Sequence, residues 1–153
     1  MIRRNKGGDI LATACRTIVV PVNATGQGAR GLLARLKKLD KAMYKNYTRA
    51  SKHRAFNQSI VFTEGDLYRY VLLPVRYHWR SKPSLTMALM GLQALHNFIT
   101  YNETNAQTVG SLAVQADLGE AEWRDELLPL LEDCLGDLPI PVEIYEAERA
   151  IAV

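Results

Sequence analysis

The sequence predicts a three-layer α/β/α sandwich around a central mixed, mostly parallel sheet, and three observations carry that expectation. A β-branched run of Ile18, Val19, Val20 and Val22 opens directly into a glycine-rich turn and then an amphipathic segment. Further short apolar runs alternate with long helical patterns along the chain, an order that pairs strands in parallel through helical crossovers. The 153 residues, 48% hydrophobic and 23% charged, can bury a sizeable core without disulfide or metal staples. One domain over 1–153 is therefore expected, with no internal repeat or linker.

The elements follow in order. Gly7-Gly8 turns the chain ahead of Asp9, which can cap a short helix from Ile10 to Ala14. Thr17 to Pro21 reads as a buried strand. From Gly28 to about Tyr47 the spacing predicts one helix. Leu32, Leu33, Leu36, Leu39 and Met43 form its apolar stripe, and Arg35, Lys37, Lys38, Lys41 and Lys45 cover the rest. The polar, basic stretch Thr48 to Asn57 reads as a loop. Strands are expected over Ser59 to Thr63 and Tyr68 to Pro74, joined by the turn residues Glu64-Gly65-Asp66. Pro83-Ser84 starts a helix running to about Tyr101 on Leu85, Leu89, Leu92, Leu95 and Phe98. Asn102 to Gly110 reads as a loop and Ser111 to Val114 as a short strand. A helix over Trp123 to Leu135 is stopped by Gly136 and Pro139, and Val142 to Tyr145 is the last strand.

Charge is segregated along the chain although the net value is only +3. Residues 1 to 54 hold 13 of the 19 Lys and Arg against Asp9 and Asp40 alone. From Glu103 onward, 12 Asp and Glu accompany only Arg124 and Arg149. Such asymmetry suits either a polyanion-binding face or two halves that neutralise one another in space. No apolar run reaches bilayer length, and the basic start MIRRNKGGDIL lacks the apolar region of a signal peptide. A cytoplasmic protein with no membrane association is the expectation. Cys15 and Cys134 lack metal-ligand spacing and read as small buried apolar residues in a reducing compartment.

The chemistry concentrates in Val22 to Gly31, VNATGQGARG. Strand, glycine turn and helix start in succession point backbone N–H groups and a helix dipole at an anion, and glycines admit close approach of the ligand. A dinucleotide-fold fingerprint is matched in spacing by Gly26, Gly28 and Gly31, but no acidic residue ends a second strand about twenty residues later. No P-loop lysine, GxSxG elbow or HExxH is present, and His53, His78 and His96 do not combine into a metal set. Neither a metal nor a cofactor is expected. Asn23 serves either as a turn-satisfying amide or as a ligand contact, and the surrounding glycines favour the latter. Arg76 suits binding, or an ion pair with Glu122 or Glu120, better than catalysis. His78, near a strand end, suits a hydrogen bond to a neighbouring strand better than acid–base work. Trp79 and Trp123 read as core or pocket-wall residues.

Three pieces in order resemble the macro domain, the ADP-ribose-binding fold. Gly8-Asp9-Ile10-Leu11 is similar to the family's GDI(L/T) motif, whose Asp bonds the adenine amino group. Val22-Asn23-Ala24-Thr25-Gly26-Gln27-Gly28-Ala29-Arg30-Gly31 is similar to VNxxGxxGKG, whose Asn and glycine-lined backbone hold the distal ribose and a phosphate. Pro74-Val75-Arg76-Tyr77-His78-Trp79-Arg80, followed by Gly91-Leu92-Gln93-Ala94-Leu95, resembles PTKxHWR with a GLxxL helix. That last pattern belongs to bacterial antitoxins that remove ADP-ribose from thymidine in DNA. The resemblance spans nearly the whole chain.

It implies a ligand set of Asp9, Ile10, Asn23, Gly26, Gly28, Arg30, Gly31 and Gly119, with Asn23, Arg76 and His78 nearest any chemistry. Two departures bear on activity. Arg76 stands where the family has a lysine, and a guanidinium cannot deprotonate to act as nucleophile or base. The glycine-rich diphosphate loop is degenerate: Ala116-Asp117-Leu118-Gly119-Glu120-Ala121-Glu122-Trp123 has one glycine and three carboxylates. The resemblance thus implies binding of ADP-ribose, or of ADP-ribosylated nucleic acid or protein, with hydrolysis of the ADP-ribosyl linkage open. The alternative is a catalytically inactive module that binds nucleic acid or a protein partner through its basic N-terminal half. The sequence leaves the oligomeric state open.

Overall fold

The computed structural model describes residues 1–146; Arg149, counted above, and the end of the 1–153 domain lie outside the described residues. Six strands form one sheet: β1 (Ile2–Asn5), β2 (Thr17–Asn23), β3 (Val61–Glu64), β4 (Arg69–Arg76), β5 (Leu112–Gln115) and β6 (Val142–Tyr145). Their order is β1-β6-β5-β2-β4-β3. Every pairing is parallel except β3 against β4. The helices are α1 (Gly31–Leu39), α2 (Lys41–Lys52), α3 (Leu85–Tyr101), α4 (Glu103–Val109) and α5 (Arg124–Leu135).

The period-2 alternation of the buried strands builds two cores, one on each face of the sheet. Ile18, Val20, Val22 and Leu72 pack against Leu32, Leu33, Leu36, Met43 and Tyr47 of α1 and α2. Val19, Val71, Leu73 and Val114 pack against Leu92, Leu95, Leu127 and Leu131 on the other face. The expected three-layer α/β/α architecture with a mixed, mostly parallel sheet is what the chain forms. Gly91 lets α3 lie close on the sheet: an added Cβ would stand 3.0 Å from Leu73 Cγ.

Several local expectations are corrected. The helix expected over residues 28–47 is two helices, broken at Asp40. Asp40 is fully buried and caps α2 by accepting from Met43 N at 3.1 Å. Its carboxylate also accepts from Asp66 N, Leu67 N and the Tyr70 hydroxyl at 2.9, 3.0 and 2.6 Å. Burial alone would raise this carboxyl, but the Tyr70 O–H and the three backbone N–H groups outweigh it and hold it below the ordinary range. Gly65 is required beneath it, because a Cβ there would meet Asp40 Oδ2 at 2.3 Å.

Thr48 to Asn57 is no simple loop. α2 runs on to Lys52 because Tyr47 and Ser51 are buried on its inner side, and a short turn then buries Phe56. Asn102 to Gly110 is α4, capped by the Asn102 side chain on Asn105 N at 2.7 Å. Its apolar stripe is only Ala106 and Val109, too sparse to register as periodicity. The helix expected over Ile10 to Ala14 is a single turn, Ile10–Ala12, capped by Asp9. β1 has no apolar pattern, being IRRN at a sheet edge. It is fixed by pairing with β6 and by Arg4, which grips buried Glu146 at 2.8 and 3.1 Å.

Candidate functional site

The strand order makes one crevice. The connection leaving β2 leads to β3 and β4 on one side, whereas the connection leaving β5 leads to β6 on the other. Loops therefore diverge at the C-terminal ends of β2 and β5, the switch point where open parallel sheets hold ligands. Asn23 ends β2 and Gln115 ends β5. A cavity of about 60 Å³ lies between them, lined by Asn23, Arg30, Gly31, Arg76, Gln115 and Glu120 among others. A wider chamber of about 450 Å³ is bounded by Gly28, Ala29, Arg30, Trp79 and Arg80 and shares Arg30 and Trp79 with the cavity. Another of about 320 Å³ lies at Gly8, Asp9, Ile10, Arg35 and Asp117 and shares Gln115. The three make a groove with a narrow waist.

The glycine loop is built from its own asparagine. The register of β2 against β4 slips by one residue between Val22 and Asn23. Asn23 Oδ1 accepts from Gly26 N at 2.9 Å and Thr25 Oγ1 at 3.2 Å. Its Nδ2 donates to Gln27 O at 2.9 Å and Gly28 O at 3.1 Å. Those four bonds engage both donors and both acceptor positions of the amide, so Asn23 shapes the cradle from beneath. The buried Tyr47 hydroxyl supports it by donating to Asn23 O at 2.7 Å, and burial pushes that phenol well above its ordinary pKa. Gly26 faces α2, where a Cβ would crowd Ser51 at 2.7 Å, and Gly28 lies against Trp79. Gly31, at φ 55°, opens on free space. It begins α1, whose N-terminus has no side-chain cap; Gly31, Leu32 and Leu33 line the waist. The helix end, with its orphan N–H groups, thus lies at the groove.

The waist itself is charged. Arg76, 7% exposed, ion-pairs with Glu120, 15% exposed, and donates from Nη1 to Ser81 O at 3.0 Å. Glu120 is one of the two partners the sequence suggested; Glu122 is exposed on the following turn. Asp117 Oδ1 accepts from Gly119 N at 2.8 Å, so the glycine of the degenerate loop has its amide engaged, while Gly119 still lines the waist. Gly119 and the buried Leu118 before it are both left-handed, at φ 81° and 47°.

Asp9 forms a bidentate pair with Arg35 at 2.6 and 2.9 Å and caps Leu11 N. The Arg35 hydrogen bond, followed by the Leu11 N–H, lowers its carboxyl pKa. Ile10 is the buried wall beside it. His78 sits on the turn after β4, where Nδ1 accepts from Arg80 N at 3.1 Å. That bond lies within its own turn, not with a neighbouring strand as the sequence suggested. Trp79 walls the groove with the Arg80 guanidinium 4.5 Å over its ring, and Trp123 belongs to the core. Cys15 and Cys134 are free and only partly buried. Among the described residues, no His, Cys, Asp or Glu cluster could hold a metal ion, and no helix is long and apolar enough to cross a membrane.

Of the residues expected at the site, Asn23, Arg30, Gly31, Arg76 and Gly119 meet at the waist, Gly28 in the wider chamber, and Asp9 and Ile10 in the third. Gly26 and His78 stand outside these linings. Gln115 was missed. Its one signal was a polar residue closing the apolar run Leu112-Ala113-Val114.

No family model matches the sequence, and no curated protein matches it. Solved structures do match. The macrodomain of Thermus aquaticus DarG superposes with a TM-score of 0.77 at 22% identity, covering 97% of this chain and 99% of that one. The macrodomain of Mycobacterium tuberculosis DarG gives 0.75 at 20%, covering 95% and 97%. Thermosipho africanus DarTG, solved in complex with ADP-ribose, gives 0.77 at 26%, covering 95% of this chain and 42% of that one. The structural neighbours are thus macrodomains, DarG macrodomains among them, which is the family that the three sequence motifs resemble, and this chain has the macrodomain fold.

Proposed function

We propose that this chain binds an ADP-ribosyl group along the three-part groove and holds it without cleaving it. The carrying observation is the uncapped α1 N-terminus opening at the switch point beside Asn23 and Gly31. Backbone N–H groups and the helix dipole there suit a diphosphate. The chambers at either side suit the two sugar-bearing ends, with the adenosine at Asp9 and Ile10 and the distal ribose beside the Asn23 loop and Gly28. The ADP-ribose complex of the DarTG neighbour supports this ligand class.

Binding without turnover follows from the residues nearest the chemistry. Arg76 is permanently charged and already paired with Glu120, so no amine nucleophile or base is available at that position. His78 Nδ1 is engaged with the backbone of its own turn. Calorimetric titration with ADP-ribose, alongside incubation with an ADP-ribosylated thymidine oligonucleotide, tests the reading. Micromolar binding with the modified oligonucleotide left intact is expected. Absence of binding heat, or release of ADP-ribose, would overturn it.

A second reading rests on a different surface. Lys37, Lys38, Lys41, Lys45, Arg49 and Lys52 are exposed on α1 and α2, and the single carboxylate between them, Asp40, is buried. That face suits a nucleic acid that carries the ADP-ribosyl group, with Trp79 under Arg80 in the groove wall as a stacking surface. Salt-sensitive oligonucleotide binding without any ADP-ribose heat would favour this face as the whole function. The free cysteines suit a cytoplasmic setting.

A further inference from the structure

The groove is constricted by charge, not by apolar packing. β4 and β5 flank β2 on opposite sides, so the pair from Arg76, at the end of β4, to Glu120, in the loop after β5, passes across the C-terminal end of β2. The two partners are not equivalent. Arg76 is the more buried and is fixed a second time by Ser81 O. Glu120 is twice as exposed and follows two left-handed residues in a loop.

Around the pair, the lining is rich in donors. The α1 N-terminus and Arg30 line the waist, and among the described residues Glu120 is the one carboxylate there. Gln115 lines the same space, and its Oε1 is buried with no partner among the described residues. A site with two guanidinium groups and a helix N-terminus is built for an anion, and the anion it now holds is the protein's own.

Resting on the ADP-ribosyl reading above, we infer that Glu120 is a built-in competitor: it occupies the face of Arg76 that a phosphate of the ligand takes over. Carboxylate and phosphate make the same charge-assisted bonds to a guanidinium. Removing one partner of a buried ion pair is unfavourable unless another anion replaces it, and the ligand supplies that anion. Glu120 moves toward solvent because it is the more exposed partner, and Arg76 stays. Glu120 therefore sets the affinity of the groove and limits it to ligands with an anionic centre.

The test is calorimetric titration of ADP-ribose into the wild type, E120Q, E120D and the double variant R76Q/E120Q, with thermal melts as a check on folding. E120Q, uncharged and of the same size, should bind about tenfold more tightly than the wild type. E120D, still charged but shorter in reach, should show a smaller gain. R76Q/E120Q should lose the gain, because the receiving guanidinium is gone. E120Q binding equally or more weakly than a wild type that binds would overturn the competitor role and leave the ADP-ribosyl reading standing. Retention of the gain in R76Q/E120Q would also overturn it. No binding by either wild type or E120Q would sink both. Should E120Q lose its cooperative melt, E120D decides by the same criterion.

Discussion

The two ends of α1 are opposites. At its C-terminal end, Asp40 closes every local account: one carboxylate takes the Met43, Asp66 and Leu67 amides and the Tyr70 hydroxyl, fully buried. At its N-terminal end, among the described residues, no side chain caps the helix, Gly31 opens on free space, and Gln115 Oε1 has no partner. The contrast separates two uses of polar groups. Saturated networks tie elements together, and unsaturated ones are left for something to bind.

That contrast can be broken by mutation. The largest effect is expected from Asp40→Ala, which removes a helix cap, two further backbone partners at Asp66 and Leu67, and the partner of the buried Tyr70 hydroxyl. A loss of about 3 kcal/mol or more is expected, lowering Tm by about 6–12 °C, with ADP-ribose affinity within about twofold. A Tm change under about 2 °C would show that the knot is not what holds the two helices to the sheet.

Acid acts on two buried carboxylates, Asp40 and Glu146. The folded pKa values of Asp40 and of Glu146, held by the Arg4 and then the Arg124 guanidinium, lie below their unfolded values. The folded state therefore binds fewer protons than the unfolded one. Their stabilisation is complete above the unfolded carboxyl pKa of about 4 and is lost as pH falls through the depressed folded values. Melts recorded against pH should be level from about pH 7 to 5 and fall below about pH 4, with a shallower fall in Asp40→Asn.

At the open end, Asn23→Ala removes four hydrogen bonds from the glycine loop. We expect a loss of about 2 kcal/mol by chemical denaturation and more than about tenfold in ADP-ribose affinity. An affinity unchanged by this substitution would detach the loop from the binding site. The smallest effect belongs to Arg35→Ala. The Asp9–Arg35 pair is half exposed, so Tm should move by less than about 2 °C. Freeing the Asp9 carboxylate for the ligand should raise ADP-ribose affinity by about two- to threefold. A loss of affinity would instead assign Arg35 itself to the ligand.

What could be read in the sequence follows the same divide. β2, β4 and α3 were legible because they are apolar on a regular period, and the Asn23 loop because glycines at a strand-to-helix turn have few other uses. Asp40 was not legible. A lone aspartate among lysines reads as a solvated charge, and its real partners, Asp66, Leu67 and Tyr70, are distant in sequence. β1 and α4 escaped for want of a pattern: one is an edge strand and the other buries two side chains. The Arg76–Glu120 pair was half legible. Its members were visible, but only the crossing of chain over β2 chooses Glu120 over Glu122.

The placement of β1 governs how the molecule assembles. Ile2 aligns with Val142, so β1 finds its backbone partners only in β6, with the four other strands lying between them in sequence. Until that pairing closes, the Arg4 contact with Glu146 is not made, and Arg3 and Arg4 lie on an unpaired strand. Closing that outer seam should be the final, slowest step of folding, and destabilising it should lengthen refolding while leaving the inner strands free to form early.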